Sequence, residues 1–244
     1  MKFGTNDISK IYLGTTEIEK AYLGSNVIYE KGGGADKNTL ALFHFDEDFS
    51  NSYPGCTMNV QNYATISHYT GEPKFGDGFM LGDSNYVTTS GLNALGLTEF
   101  TFEFWWKCWS LPYGAFGGIL TEPDLLTGHS VAMGTGDSTG YYSRKACLYK
   151  NANRISPENT VPIYGGEFNN VWWHHAMVYK NNTIKYYLNG QYVTSLSYTG
   201  PINVYEIYLN TGKVDVWPRY IDEFRFSDIA RWDGEFTSPT EPYS

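Results

Sequence analysis

Aromatic side chains in polar, glycine-rich segments are the residues of this chain best suited to bind a ligand. Tyr141 and Tyr142 lie in the stretch Gly-Asp-Ser-Thr-Gly-Tyr-Tyr-Ser-Arg that ends at Arg144, and Trp217 directly precedes a proline. Tyrosine and tryptophan rings stack on the apolar face of a sugar at low entropic cost, while short polar groups bind its hydroxyls. These residues predict a carbohydrate-binding surface made of Tyr141, Tyr142, Trp217, Asp137 and Arg144.

The same rings have a second interpretation. The chain contains 7 Trp, 21 Tyr and 14 Phe, so some rings reach the surface without binding a ligand. In a structural protein of an assembly, such rings would pack against neighbouring protein chains instead. If a glycan is bound, the net charge of −9 favours a neutral one over an anionic one, because like charges repel.

Acidic side chains suited to glycoside hydrolysis are not apparent in the sequence. Hydrolysis needs two carboxyl groups that face each other across the sugar. Glu103 stands alone in an aromatic stretch, and Asp222 and Glu223 are adjacent, which on a regular strand places them on opposite faces. We therefore expect no enzymatic activity.

Two adjacent histidines suggest a metal site at first sight. His174 and His175 follow a pair of tryptophans. Neighbouring side chains on a strand point to opposite faces, so these two histidines cannot bind one metal ion without distortion. We predict that they pack within a sheet.

Charge and hydropathy argue against two classes of partner. Residues 39–244 carry 12 basic and 21 acidic side chains, which is the whole excess of negative charge. This balance opposes binding to a nucleic-acid backbone. No apolar run approaches the length of a membrane span, and no basic segment leads into an apolar stretch at the N-terminus. We expect no nucleic-acid partner, no membrane partner and no secretion signal.

Short strands must position all of these residues. Apolar and polar residues alternate along much of 39–244, as in Phe100–Phe104 and Thr183–Leu188. Asn189-Gly190 follows the second run directly, which is the pattern of a hairpin with a type I′ turn. The number and spacing of such runs predict an all-β fold of two packed antiparallel sheets.

Five segments of the body follow one another in a characteristic order: Leu42-Phe-His-Phe-Asp46, Phe75-Gly-Asp-Gly78, Trp173-His-His-Ala176, Lys185-Tyr-Tyr-Leu-Asn-Gly190 and Ile221-Asp-Glu-Phe-Arg225. This series resembles the laminin-G-like domains of the concanavalin A-like lectin/glucanase superfamily, and the resemblance covers residues 39–244. It implies a jelly roll of two antiparallel sheets. It does not imply one function, since the superfamily holds lectins, glycosidases and interaction modules.

The resemblance also implies a calcium site. In related jelly rolls the first and last strands are neighbours, and a calcium ion often links their loops. The loop after the first strand here carries Asp46 and Asn51, and the last strand carries Asp222. Calcium prefers such oxygen ligands, so we predict an ion bound by these three residues. The alternative is an ordinary solvated turn.

A ten-residue repeat precedes the body. Lys10-Ile-Tyr-Leu-Gly14 recurs as Lys20-Ala-Tyr-Leu-Gly24, and three glycines follow at 32–34. Each unit fits one short strand and one turn, which cannot bury a face alone. We predict a strand-turn assembly segment at 1–31, a glycine-rich linker at 32–38 and the jelly-roll domain at 39–244. The repeat separately resembles leader segments of bacteriophage structural proteins.

Together these features predict a bacteriophage virion protein. Residues 1–31 would attach the chain to other virion proteins or form a homo-oligomer, with a trimer as our expectation, and the body would display a non-catalytic surface for host glycans. The first alternative is a purely structural or decoration protein of the virion. The second is a bacterial secreted carbohydrate-binding module.

Overall fold

The computed structural model describes most of the body and the strands of the N-terminal segment. The described residues are 2–3, 6–7, 12–13, 16–17, 20–23, 26–30, 36–52, 56–60, 65–68, 73–82, 87–108, 114–120, 130–136, 145–150, 153–155, 170–209 and 219–243. The chain divides into two compact units, one of residues 1–38 together with residue 244 and one of Thr39–Tyr243.

The N-terminal unit consists of short antiparallel hairpins. β1 (Lys2–Phe3) pairs with β2 (Asn6–Asp7), β3 (Tyr12–Leu13) with β4 (Thr16–Glu17), and β5 (Lys20–Leu23) with β6 (Asn26–Glu30). The hairpins recur at the spacing of the sequence repeat, so the repeat has three copies where the sequence analysis recognised two. Each copy holds two strands instead of one strand and a turn, because two connecting residues suffice to reverse the chain.

The body is built from strands alone in its described residues. In chain order they are β7 (Thr39–Phe43), β8 (Thr57–Val60), β9 (Thr65–Ser67), β10 (Phe79–Gly82), β11 (Val87–Ser90), β12 (Ala94–Leu97), β13 (Phe100–Cys108), β14 (Gly114–Leu120), β15 (Ser130–Gly136), β16 (Lys145–Lys150), β17 (Asn153–Ile155), β18 (Trp173–Lys180), β19 (Thr183–Leu188), β20 (Gln191–Ser197), β21 (Ile202–Val204), β22 (Glu206–Leu209) and β23 (Arg219–Ser227).

These strands form two large antiparallel sheets. The eight-stranded sheet has the order β20-β19-β18-β13-β23-β10-β9, with β7 pairing with β23 beside β10. The seven-stranded sheet has the order β17-β16-β15-β14-β22-β11-β8, and β12 and β21 form a separate pair. The predicted fold class, an antiparallel two-sheet sandwich of the jelly-roll type, is confirmed.

The core lies between the two sheets, where alternation places every second side chain. Phe100, Phe102 and Phe104 of β13 are fully buried there, and they meet inward residues of the other sheet such as Ile119 and Met133. Gly117 of β14 faces these rings, since a Cβ at this position would lie 2.9 Å from the ring of Phe104. The aromatic residues of β13 therefore determine the spacing between the sheets at this point.

The Asn189-Gly190 connection behaves as its sequence predicts. Both residues have positive φ angles, 48° and 78°, as a type I′ turn requires. A Cβ at Gly190 would also collide with the carbonyl oxygen of Phe236, and the Phe236 N–H donates to the Gly190 carbonyl at 3.0 Å. The turn therefore binds the C-terminal segment as well as joining β19 to β20.

No helix in the described part of the chain has the length and apolarity needed to span a bilayer.

Candidate functional site

A bulge in β23 places two carboxylates on the same face of the eight-stranded sheet. Ile221 pairs with β10 and Phe224 pairs with β7, and the register against β13 shifts at this point. Glu223 has a positive φ of 48°, as the bulged backbone requires. Ile221 and Phe224 both point into the core, so Asp222 and Glu223 between them both face outward. The expectation that these two acids lie on opposite faces is therefore wrong, because it assumed a regular strand.

The carboxylates at the bulge hold the loop that precedes β10. Oδ2 of Asp222 accepts the backbone N–H groups of Lys74 at 2.7 Å and of Phe75 at 3.1 Å. From the other side, Oδ1 of Asp46 accepts the N–H groups of residues 77 and 78 at 2.9 and 3.3 Å. Four backbone amides of residues 74–78 are thus bound by two acids, which joins the loop after β7 to the last strand.

Burial and neighbouring charge shift the ionisation of this cluster. Burial, together with the nearby carboxylates of Glu223 and Asp46, raises the pKa of Asp222 to about 7 against the opposing effect of the two backbone donors. Oδ1 of Asp222 is buried and has no hydrogen-bond partner among the described residues. His44 lies with Nδ1 2.7 Å from Oε1 of Glu223, and this hydrogen bond raises the pKa of the imidazole. The cluster consequently gains negative charge as the pH rises through neutrality.

Two of the three predicted calcium ligands, Asp46 and Asp222, meet at this loop, and the third has another role. The Asn51 side chain accepts the Leu42 N–H at 2.9 Å and donates to the Cys56 carbonyl at 3.1 Å. Among the described residues, no group of three or more His, Cys, Asp or Glu side chains is arranged to hold a metal. Calcium binding by Asp46, Asn51 and Asp222 stays a prediction.

A surface pocket of about 200 Å³ lies against the loop after β7. Its walls are His44, Phe45, Ser50 and Ser52, together with the acidic run 46–48. One oxygen of Asp48 already has a hydrogen-bond partner within the loop, since its Oδ1 accepts the Ser50 N–H at 2.7 Å.

Glu103 is the centre of a buried polar network on the outer side of the same sheet. Its Oε1 accepts Nε of Arg225 at 2.9 Å and Nη2 at 2.7 Å, and its Oε2 accepts the Trp232 indole N–H at 3.1 Å. Nε2 of His174 lies 3.3 Å from Oε2 and 2.7 Å from the Tyr243 hydroxyl. Burial alone would raise the pKa of Glu103, but His174 and Arg225 lower it to about 2. The network binds the C-terminal segment to the sheet.

The two adjacent histidines occupy opposite faces, as predicted. His174 belongs to the outer network, while His175 lies in the core, stacked between the rings of Phe104 and Tyr186. Burial holds the pKa of His175 well below its usual value. Both histidines therefore have structural roles within the sheet.

The outer face of the seven-stranded sheet carries a row of side chains that could receive a ligand. Cross-strand register aligns Asn59 with Thr88, Thr88 with Tyr208, Tyr208 with Gly118 and Gly118 with Ala132. The Tyr208 hydroxyl lies 2.7 Å from the position that a Cβ at Gly118 would occupy. The glycine therefore makes room for the tyrosine, and Ala132 beside it has 1% of its surface exposed.

The five predicted carbohydrate-binding residues, Asp137, Tyr141, Tyr142, Arg144 and Trp217, lie outside the described residues. The strands before them are described. Leu209, the last residue of β22, is level with Gly117, which is level with Met133 near the end of β15. Both strands therefore run toward the same edge of the sheet, two strand spacings or about 10 Å apart, and β15 continues past this level to Gly136. The sequence analysis missed Tyr208, although its alternation with Ile207 and Leu209 marks it as outward-facing.

Comparisons with known proteins identify the family of the body. A laminin G-type family model, described as the concanavalin A-like lectin/glucanases superfamily, matches residues 81–235, more than half of the chain. This match lies within the predicted range of 39–244. No comparison supports the phage resemblance of residues 1–31, and no curated protein sequence matches the chain.

Three solved structures illustrate the likeness in fold. Domain 4 of AbnA, an extracellular arabinanase from Geobacillus stearothermophilus solved with arabinotriose, has a TM-score of 0.54 at 17% identity, over 79% of this chain and 93% of that one. The binding domain of botulinum neurotoxin serotype C1 has a TM-score of 0.56 at 12% identity, over 79% of this chain and 49% of that one. The cellulose induced protein Cip1 has a TM-score of 0.52 at 13% identity, over 77% and 96%.

The three identities are low enough that they show the fold alone, and the toxin domain is about twice the length that this chain covers. The family match and the observed two-sheet architecture agree. The chain belongs to the concanavalin A-like lectin/glucanases superfamily.

Proposed function

We propose that the body is a non-catalytic carbohydrate-binding domain whose ligand lies on the outer face of the seven-stranded sheet. The observation that carries this proposal is the row in which the half-buried Tyr208 lies beside Gly118 and Ala132. A tyrosine ring offers a flat apolar face to a sugar, and Gly118 lets this ring lie close to the sheet. Thr88 has 6% of its surface exposed, so the exposed Asn59 is the polar member of the row that can bind hydroxyls.

Tyr141, Tyr142 and Trp217 follow β15 and β22 in the sequence and stay predicted ligand contacts. The net charge of −9 favours a neutral glycan on this face. Domain 4 of AbnA, which has this fold, was solved with arabinotriose.

We propose a domain without catalytic activity because the carboxylates in β13 and β23 of the eight-stranded sheet are buried. Glu103, Asp222 and Glu223 have 0%, 0% and 1% of their surface exposed. A glycosidase needs an acid and a second carboxyl group in contact with the sugar. Buried acids that bind backbone amides and arginine support packing instead.

A glycan array compares the wild type with Tyr208→Ala and with a triple variant, Tyr141→Ala, Tyr142→Ala and Trp217→Ala. We expect signal on neutral glycans that falls about tenfold in Tyr208→Ala, since a lost stacking contact costs ~1 kcal/mol or more. Tyr205→Ala, a half-buried tyrosine outside the row, is the matched control. A folded wild type without signal, or equal signal from the Tyr208 variant, would contradict the proposal.

We further propose that residues 1–31 attach this domain to a bacteriophage particle, where it contacts host glycans. The supporting observation is the series of three short hairpins, each a separate two-stranded sheet, because isolated hairpins of this size need a partner. Residues 1–38 carry five basic and five acidic side chains, so this segment adds no net repulsion between copies. A decoration protein that makes only protein contacts is the alternative.

Light scattering of the full chain and of a chain without residues 1–34 tests this attachment role. We expect a trimer for the full chain and a monomer after deletion. A monomeric full chain would rule out self-assembly. If that chain also failed to bind other virion proteins, the attachment role would be ruled out.

A further inference from the structure

We propose that the outer face of the seven-stranded sheet prefers a saccharide unit that carries a protonated amine, which pairs with the carboxylate of Glu206 beside Tyr208 on β22. An amino sugar such as glucosamine belongs to this ligand class. The inference rests on the proposed function above, since it names the ligand class of the same site. It adds a group that distinguishes one sugar from another, which stacking on a ring does poorly.

Alternation along β22 places Glu206 and Tyr208 on the same face of the sheet. Ile207 and Leu209 point into the core, with 0% and 1% of their surface exposed. Glu206 and Tyr208 alternate with them, so both face outward, and both are half-buried. Residues two apart on a strand are separated by about 7 Å. A sugar stacked on Tyr208 therefore carries its substituents to the Glu206 carboxylate.

The Glu206 carboxylate has no counter-charge among the described residues. No hydrogen-bond donor or cation of the described chain pairs with it, and burial raises its pKa. Its cross-strand neighbour on β14 is the apolar Leu120. In the seven strands of this sheet, as the structure describes them, Glu206 is also the only acidic residue. A partly desolvated carboxylate without a partner gains more from a bound cation than a fully hydrated one does.

The basic residues in the strands of this sheet are distant from Glu206. They are Lys145 and Lys150 of β16 and Arg154 of β17. β16 is three strands from β22 and β17 is four, so their backbones lie about 14 and 19 Å away. Screening at physiological salt acts over about 8 Å, so these cations neither neutralise Glu206 nor repel an amine bound there. The face of the Tyr208 ring and the net charge of −9 also favour a cationic ligand.

Calorimetric titration of the full chain with a glucosamine tetramer and with cellotetraose tests the preference near neutral pH. The two tetramers share one backbone and differ only in the amine that replaces one hydroxyl of each sugar. We expect the wild type to bind the glucosamine tetramer several-fold more tightly. Glu206→Gln, which keeps the shape of the side chain, should remove this preference and leave the affinity for cellotetraose nearly unchanged. Tyr208→Ala should weaken the binding of both tetramers about tenfold through lost stacking.

Glu47→Gln is the matched control, because it removes the same single charge from the exposed acidic run after β7. It should keep the preference, and thermal melting verifies the fold of each variant. Loss of the preference in Glu47→Gln but not in Glu206→Gln would assign the amine to that acidic run and overturn the inference.

Equal affinity of the folded wild type for the two tetramers would also overturn the inference. The proposed function would still stand in that case if cellotetraose binding depends on Tyr208. Absence of binding to either tetramer would overturn the inference as well, while the glycan array tests the proposed function separately.

Discussion

Asp222→Asn is expected to stabilise the protein at alkaline pH and to leave its stability nearly unchanged at about pH 4. The pKa of Asp222 is raised from 3.8 to about 7 in the folded state. Below the unfolded pKa the carboxyl is protonated in both states. As the pH rises toward 7 the unfolded chain ionises first, so the native state progressively loses stability, by about 4 kcal/mol in total for this shift. Asparagine stays neutral and keeps the oxygen that accepts the Lys74 and Phe75 amides.

Urea unfolding at about pH 4 and about pH 8, with a chelator present, measures this difference. The chelator removes any contribution of a bound cation to the ionised aspartate. Asp48→Asn is the matched control, because Asp48 lies on an exposed turn and should show no comparable gain at alkaline pH. An equal effect of Asp222→Asn at both pH values would contradict the raised pKa.

Glu103→Ala is expected to lower the free energy of unfolding by about 3–5 kcal/mol, the usual cost of leaving a buried charge without its partner. Arg225 would remain with 7% of its surface exposed and would lose its two hydrogen bonds to Oε1. The Trp232 indole N–H would also lose its acceptor, which weakens the attachment of the C-terminal segment. Glu103→Gln keeps an acceptor oxygen and should cost less.

Lys180→Ala provides the contrast. Lys180 and Asp233 form an ion pair of 3.2 Å, but 76% of the aspartate side chain is exposed. Such pairs contribute about 0–1 kcal/mol. Urea unfolding at neutral pH compares the three variants, and a Glu103→Ala loss no greater than that of Lys180→Ala would show that the buried network is not stabilising. Because the pKa of Glu103 is lowered to about 2, its contribution should disappear only as the pH falls from about 4.5 through 2.

Local sequence patterns predicted the parts of this fold that depend on neighbouring residues. The alternation along β13 predicted which face is buried, and Asn189-Gly190 predicted a tight turn with two positive φ angles. The opposite orientation of His174 and His175 followed from the same period of two. The third copy of the N-terminal repeat was missed, because Lys2-Phe-Gly-Thr at the start of the chain differs from the other two copies at its aromatic and leucine positions.

The candidate sites depended on contacts between distant parts of the chain. The Tyr208 row combines residues from several strands, and cross-strand register determines which residues are neighbours. Alternation marks Tyr208 as outward-facing, but it does not show which residues lie beside it on the sheet. The position of Gly118 beneath the Tyr208 hydroxyl likewise appears only when the strands are paired.

The sequence by itself determined that this protein is an all-β sandwich with an aromatic core, because burial of one strand face leaves a period of two in the residues. Only the tertiary structure decided that Asp222 and Glu223 share one face. β23 changes its neighbour from β10 to β7 between Ile221 and Phe224, and an extra residue at that point keeps both apolar side chains in the core. The change of partner involves strands more than a hundred residues away, and a bulge of this kind leaves no periodic signal in the local sequence.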